Sequence, residues 1–359
     1  MKKEEPHMSR KERRGITVAG NIVADAVINI DRYPQIGMLS NISSVSRSVG
    51  GCVPNTGIDL AKIDGSLPVS AIGCIGNDEY GRFIVSQLKR FGIDTSRIVV
   101  SDKTNTSFSD VMNLPTGERT FFHLRGANAE FDPSQISLPG LSCRILHIGY
   151  ILLLNRFDAE DPEYGTVMAR FLHDVQAQGV LTSVDMVSDS AADYAKTAKP
   201  ALKYCDYFIV NEIECCAIWG LSPRKNGQIL DLAAVREAMR RTMDCGVKEK
   251  VVVHAKEAGF CLSRDGSFTA APSLDIPEAM MKGSVGAGDA FCAGALYGIY
   301  HQMKDQEMLE FASAAAACSL FAENAVDGMK NRQEIVEMMR RFPRKAFADS
   351  DSIRQEKGE

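Results

Sequence analysis

One stretch of this chain concentrates groups that handle anions and protons. In GSVGAGDAFCAGAL, residues 283–296, Gly283, Gly286 and Gly288 precede an apolar helical run. Small residues let backbone N–H groups approach an anion closely, and the positive end of a helix dipole adds to that pull. Asp289 falls in the first predicted turn. A carboxylate there is an ordinary stabilising feature of a helix start. Beside an anion cradle it also predicts a general base that takes the proton of a hydroxyl. The spacing is neither a Walker A loop, since GxxxxGK does not occur, nor GxGxxG, because of Phe291.

Four further constellations carry polar groups at places where ligands bind. AGNIVAD (19–25) reads as the end of the first strand, where open α/β sheets bind ligands. Asp25 there could accept two hydrogen bonds from neighbouring hydroxyls, or belong to a turn. VGGCVPNTGIDLAKI (49–63) is a Gly–Gly turn opening a helix, with Asn55 in its first turn as ligand or cap. NEIE (211–214) follows the apolar run YFIV; Asn211 and Glu214 either face a metal–phosphate complex or form a capping box. In IGNDEYG (75–81), Asp78 is predicted to cap the next helix.

The elements that must position these groups alternate. Strands are predicted at 16–25, 69–76, 144–154, 180–186, 207–212 and 250–255, and helices at 82–92, 163–179 and 231–246. Continuous apolar strands between helices mean a mostly parallel sheet covered on both faces. Two stretches, 27–51 and 105–126, break the rhythm. They hold alternating strands with turns at Pro34/Gly37 and Pro115–Gly117, which suit a small β lid. Residues 1–14 and 343–359 read as charged tails flanking a single domain, 15–342.

Composition narrows the partners. Lys plus Arg is 41 and Asp plus Glu 46, so the net charge is 41 − 46 = −5. No global attraction for nucleic acid or an anionic membrane follows. The longest apolar stretch, Ile145–Leu154, is about half the length of a membrane helix. The charged N-terminus predicts no secretory leader. Ten cysteines without a CxxC pair predict reduced, buried thiols in a cytoplasmic protein, and the six histidines show no zinc spacing.

Taken together, these motifs resemble the ribokinase-like (PfkB) carbohydrate kinase family. Gly50, Gly51 and Asn55 resemble its N-terminal signature. Gly73, Gly76, Asp78 and Gly81 nearly reproduce GxxGxDxxG, Asn211 and Glu214 give NxxE, and residues 286–294 give GAGDAFxAG. The resemblance covers roughly 16–330. It implies a ribokinase-like α/β fold, a sheet of about nine strands with a β lid, and ATP-dependent phosphorylation of a sugar-like alcohol. Asp289 would be the base and Gly286, Ala287 and Gly288 the anion hole. Asp25, Gly51 and Asn55 would hold the sugar. Asn211 and Glu214 would order Mg²⁺ through water, and Ser284, Lys256 and Gly259 would border the nucleotide.

The chain departs from the family pattern twice. Family members usually carry Asp-Thr before the GAGD loop, where the Asp helps hold a monovalent cation; here the pair is Gly283–Ser284. A glycine near the nucleotide has become Lys256. We expect a lysine ammonium, Lys256 rather than Lys282, to replace that cation or bind a phosphate. Arg125 is predicted either to pair with an anionic group of the acceptor or to brace the lid. An oxidoreductase would need glycines that AGNIVAD lacks; a nucleoside kinase of the same fold and a non-catalytic sensor stay open. Exposed lid strands predict a homodimer.

Overall fold

The computed structural model describes residues 12–116, 118–188 and 193–347. Counting strands of five residues or more, the chain enters through β1 (Ile16–Gly20). It leaves for β2 (Val23–Ile30) and β3 (Ile42–Gly50), then returns through helix α1 (Cys52–Ile63) to β4 (Val69–Gly76). Helix α2 (Glu79–Arg90) leads to β5 (Asp94–Ser101), and a second excursion makes β6 (Phe108–Asn113) and β7 (Arg119–Leu124). Then come β8 (Ile145–Ile151), α3 (Val167–Ala177), β9 (Leu181–Met186), α4 (Tyr194–Leu202), β10 (Tyr207–Asn211), α5 (Glu212–Ala217) and α6 (Leu232–Asp244). A meander of β11 (Lys250–His254), β12 (Ala258–Ser263) and β13 (Phe268–Pro272) precedes α7 (Ala287–Tyr300), α8 (Asp305–Ser319) and α9 (Arg332–Arg341).

Nine of these strands form one sheet, in the order β13-β12-β11-β10-β9-β8-β1-β4-β5. The seven from β11 to β5 run parallel, and β12 and β13 pair antiparallel at one edge. The strands are apolar because both faces are covered: Val251, Val252 and Val253 are all fully buried. One core packs α1, α7 and α8 on the sheet; the other packs α3, α4, α5 and α6 on the opposite face. Each fully buried Ile, Leu or Phe in these layers contributes about 1.5–3 kcal/mol.

The two stretches expected to make a lid form a second sheet, in the order β3-β2-β6-β7, called the lid below. β2 pairs antiparallel with β3 and parallel with β6, and β6 antiparallel with β7. Asp78 holds its root. The carboxylate accepts the Gly81 N–H at 2.8 Å, capping α2 as predicted, and also accepts the Thr106 N–H and hydroxyl, each at 2.7 Å. A Cβ on Gly76 would lie 2.4 Å from the Thr106 nitrogen, so this glycine lets the lid root approach.

Several sequence boundaries shift. The strand expected over 16–25 is two strands in two sheets, broken at Asn21–Ile22, because Gly20 at φ +125° turns the chain out of the main sheet. Asp25 therefore stands on a lid strand rather than in a turn. The lid begins at Val23, not at 27. The helix expected from 163 starts at Val167, capped by the Thr166 hydroxyl. Both tail predictions reach too far inward. Arg13 is buried and donates to the carbonyls of Leu141 and Gln178. Residues 343–347 dock on β13: the Pro343 carbonyl accepts from Asp275 N–H at 2.8 Å, and Phe347 packs on Phe260. Residues 1–11 and 348–359 of the expected tails lie outside the described ones, as does Gly117. All ten cysteines are free, and nine are buried. No helix among the described residues is long and apolar enough to cross a membrane.

Candidate active site

Helix α7 begins at Gly286, whose φ of +77° and closeness to Ala325 (2.5 Å from an added Cβ) admit only glycine. Ala287, Gly288 and Asp289 line a cleft of about 300 Å³. The first-turn N–H groups of Gly288 and Asp289 have no partner within the helix, while the Ala287 N–H donates to the Ser284 carbonyl at 3.3 Å. Asp289 is 8% exposed at that mouth. Asn55 Nδ2 donates to its Oδ2 at 2.9 Å, and the Tyr150 hydroxyl lies 2.9 Å from both oxygens. Asn55 is thus no cap: α1 is preceded by Gly51 without a side-chain cap. Burial pushes the Asp289 carboxyl up to about 6, the neighbouring Asp185 charge adds to the rise, and the Asn55 and Tyr150 hydrogen bonds moderate it.

Across the cleft stand Asn211 and Glu214. They form the capping box of α5, one of the two readings of NEIE, and they also line the cleft. Glu214 accepts the Asn211 N–H at 3.1 Å, Asn211 Nδ2 at 2.8 Å and the Ser188 hydroxyl at 2.8 Å. Burial nevertheless pushes its carboxyl up to about 8. An oxygen-only donor set on a carboxylate this unwilling to ionise suits a hard divalent cation, which would supply the missing charge. Ser284 and His254 also line this cleft. Burial pushes the His254 imidazole down to about 4, so it is a neutral wall packed on Phe291.

On the lid side a second cavity of about 160 Å³ is bordered by Asn21, Asp25, Gly51, Arg125, Asn128 and Tyr150, among others. Burial pushes the half-buried Asp25 carboxyl up to about 6. Gly50 makes room for it, since a Cβ there would lie 2.2 Å from Asp25 Oδ2. Asn21 is buried, and its Nδ2 has no protein partner. Arg125 gives one Nη1–H to Asn155 at 2.9 Å.

The geometry joins Asp289, Asn55 and the 286–288 loop, and sets Asp25, Gly51 and Arg125 together in the neighbouring cavity. It does not bring Lys256 or Gly259 to the cleft. The Lys256 side chain is 71% exposed and lies 3.9 Å from Glu257. Gly259 sits in β12 against Phe291 and Leu309, where small size serves packing. Lys282 is exposed too.

Sequence reasoning missed Tyr150, Asp185 and His147. Tyr150 follows Gly149 at the end of β8, with φ +65°, a conformation that costs about 1–3 kcal/mol in a non-glycine residue. Its N–H donates to Asp185 Oδ1 at 2.7 Å, which holds it there. The run of positive φ at Tyr150 and Leu152 lies inside an apolar stretch, so nothing in the composition flags it. His147, Asp185 and Cys292 bring one potential metal-ligand atom each within 4.8 Å, although no zinc spacing exists in the sequence. Of this buried trio, Asp185 opposes and His147 favours the charged form of Asp289.

The nine-stranded sheet, the lid and the cleft between them define a ribokinase-like α/β kinase fold. Residues 16–332 match the model of the pfkB family carbohydrate kinases, and the chain belongs to that family. It is 24% identical over 299 residues to the 5-dehydro-2-deoxygluconokinase of Geobacillus kaustophilus, covering 81% of this chain and 84% of that one. It is 25% identical over 327 residues to a ribokinase of Arabidopsis thaliana, covering 90% and 81%. The solved structure of Arabidopsis thaliana ribokinase complexed with ribose and ATP superposes with a TM-score of 0.75, at 21% identity, over 91% of this chain and 99% of that one.

Proposed function

We propose that the protein transfers the γ-phosphoryl group of ATP to a hydroxyl of a sugar or sugar-like acceptor. One observation carries this: the Asp289 carboxylate stands at the head of α7 beside the glycine-loop amides and meets the acceptor-side cavity through Tyr150. The acceptor would bind among Asp25, Asn21 and Asn128 with one hydroxyl toward Asp289. That hydroxyl's proton passes to the carboxylate. Its oxygen bonds to the γ-phosphorus as the bond to the β–γ bridging oxygen breaks, releasing ADP. The Gly286–Gly288 amides meet the charge on the transferring group. Asn211 and Glu214 would hold Mg²⁺ through water, an ion that neutralises the phosphates when bound.

The acceptor cavity favours a small polyol. Its volume of about 160 Å³ is below the several hundred of a drug-sized site. Asn21 Nδ2, buried and unpartnered, fits a sugar hydroxyl. Relatives are named for ribose and for 5-dehydro-2-deoxygluconate; the unshared guanidinium face of Arg125 favours an acceptor of the second, anionic kind. Exposed Ile42, Val45, Phe121 and Phe122 on the lid's edge strands fit a second copy of the chain, lid to lid. Free thiols throughout fit a cytoplasmic setting.

The test is ADP release from ATP and Mg²⁺ with a panel of pentoses, hexoses, sugar acids and nucleosides. An acceptor-dependent rate that vanishes in Asp289→Asn supports the reading. No stimulation by any acceptor would sink it.

A further inference from the structure

Tyr150 belongs to both cavities. It borders the phosphate-side cleft with Asp289, Asn211 and Glu214, and the acceptor-side cavity with Asn21 and Asp25. Asp289 borders only the first. The tyrosine hydroxyl donates across both oxygens of that carboxylate at 2.9 Å, and Asn55 Nδ2 donates to one of them at the same distance. A hydroxyl arriving from the Asp25 side therefore meets the phenol before it meets the base.

We propose that Tyr150 is a specificity-determining residue that keeps Asp289 closed to water on the acceptor side and is displaced by the correct acceptor, whose hydroxyl takes its place as donor. The inference rests on the kinase reading above. The contact is a charge-assisted hydrogen bond, one of the stronger kinds. A lone water brings no other contact to offset its loss. A polyol does: Asp25 and the unpartnered Asn21 amide border the same cavity and can be engaged together, against a wall that includes Asn128, whose own amide is bonded to the Ile22 backbone. Its multiple hydrogen bonds drive the phenol aside, and the ring then edges the bound acceptor.

The backbone is built for such a place. Tyr150 is fixed at φ +65° by its N–H bond to Asp185 Oδ1, so the main chain stays while the side chain turns. The ring is only partly buried, with the acceptor cavity as free volume on one side. Each turnover then couples two events. The acceptor O–H proton moves to Asp289 as the acceptor oxygen bonds to phosphorus and ADP departs. Without an acceptor, a water in the same position would give ADP and phosphate, and the phenol stands in its way.

The experiment measures ADP release from ATP and Mg²⁺ with no acceptor present, in the wild type, Tyr150→Phe, Tyr150→Ala and Tyr150→Phe combined with Asp289→Asn. Tyr150→Phe keeps the ring and removes only the hydroxyl. We expect it to raise acceptor-free release about fivefold or more over the wild type, with Tyr150→Ala higher still. The acid limb of that rate should also move to higher pH in Tyr150→Phe, since a donor that favours the carboxylate form is gone. A purely structural role would move neither. Acceptor-free release in Tyr150→Phe equal to the wild type overturns the proposal, including the case where only Tyr150→Ala rises, because bulk rather than the hydroxyl would then be the barrier. If the raised rate survives in the double variant, Asp289 is not the base, and the kinase reading fails instead.

Discussion

The phosphate side and the acceptor side of this cleft are built differently. Asp289, Asn55 and Glu214 are each less than a tenth exposed and rise from α7, α1 and α5, which pack on the nine-stranded sheet. The acceptor side is closed by a four-stranded lid whose outer strands are largely exposed: every residue of Arg119–Leu124 is solvent-facing, as is most of β3. In the proposed reading, a buried frame would hold the base and the anion cradle to the tolerance that proton and phosphoryl transfer require. A thin sheet with few buried contacts can move, and its pocket-facing residues can differ without disturbing the core. Reaction type is thus tied to the rigid half and acceptor choice to the pliant half. Changes in the first should abolish turnover, and changes in the second should redistribute it.

The sharpest way to break that division is Asp289→Asn. We expect turnover to fall about 10³-fold, the middle of the range for losing a general base. Stability should move the other way. A folded-state carboxyl raised from 3.8 to about 6 is destabilising when ionised, by about 3 kcal/mol at full ionisation. The penalty is absent below pH 4, grows between 4 and 6, and is complete above that. Asparagine removes it, so thermal midpoints should favour the variant at pH 8 and converge toward pH 4. A variant both inactive and less stable at pH 8 would mean that the carboxylate is a structural strut. In the wild type, kcat should fall as pH drops below about 6, as the base takes up its proton.

Glu214 gives the second test of the rigid half. Its carboxyl, pushed up to about 8, must lose a proton to serve an ion. Half-saturating Mg²⁺ should therefore fall steeply as pH rises from 6 to 8, then level. In Glu214→Gln that slope should vanish and the requirement rise about 10-fold or more. A pH-independent Mg²⁺ requirement in the wild type would remove the residue from the ion site.

Arg125→Gln addresses the pliant half. For an acidic acceptor KM should rise about tenfold with kcat little changed, and for a neutral sugar both should stay within about twofold. Equal losses for both acceptors would make Arg125 a lid brace through Asn155, the other role its position allows.

How much of this was readable beforehand follows the same boundary. Glycine-rich turns and helix starts announce themselves through residue type, so the 286–289 loop, the Asp78 cap and the NEIE box were all found at their positions. The parallel sheet followed from apolar runs such as 251–253. Tyr150, His147 and Asp185 were hidden because each sits in or beside a buried strand, where a polar residue is masked by its neighbours. Their meaning arises only when β8 and β9 lie side by side and α7 drops Asp289 onto them. Asp25 stands on a strand of the second sheet rather than at the end of the first strand, because the chain changes sheets at Gly20, and it borders the smaller cavity from there.

Lys256 offers the smallest effect and the cleanest contrast. The resemblance puts Lys256 near the nucleotide, where a positive charge would serve the anion hole. The side chain instead extends 71% into solvent beside Glu257, and its carbonyl accepts Lys345 Nζ at 2.9 Å. At that exposure a charge is screened within about 8–10 Å of salt solution and gives the phosphates little. Lys256→Ala should leave kcat and the KM for ATP within about twofold, at low salt as at high. A tenfold rise in the KM for ATP that fades with added salt would show that the lysine swings in when nucleotide binds. The boundary between rigid and pliant halves would then have to include the β11–β12 turn.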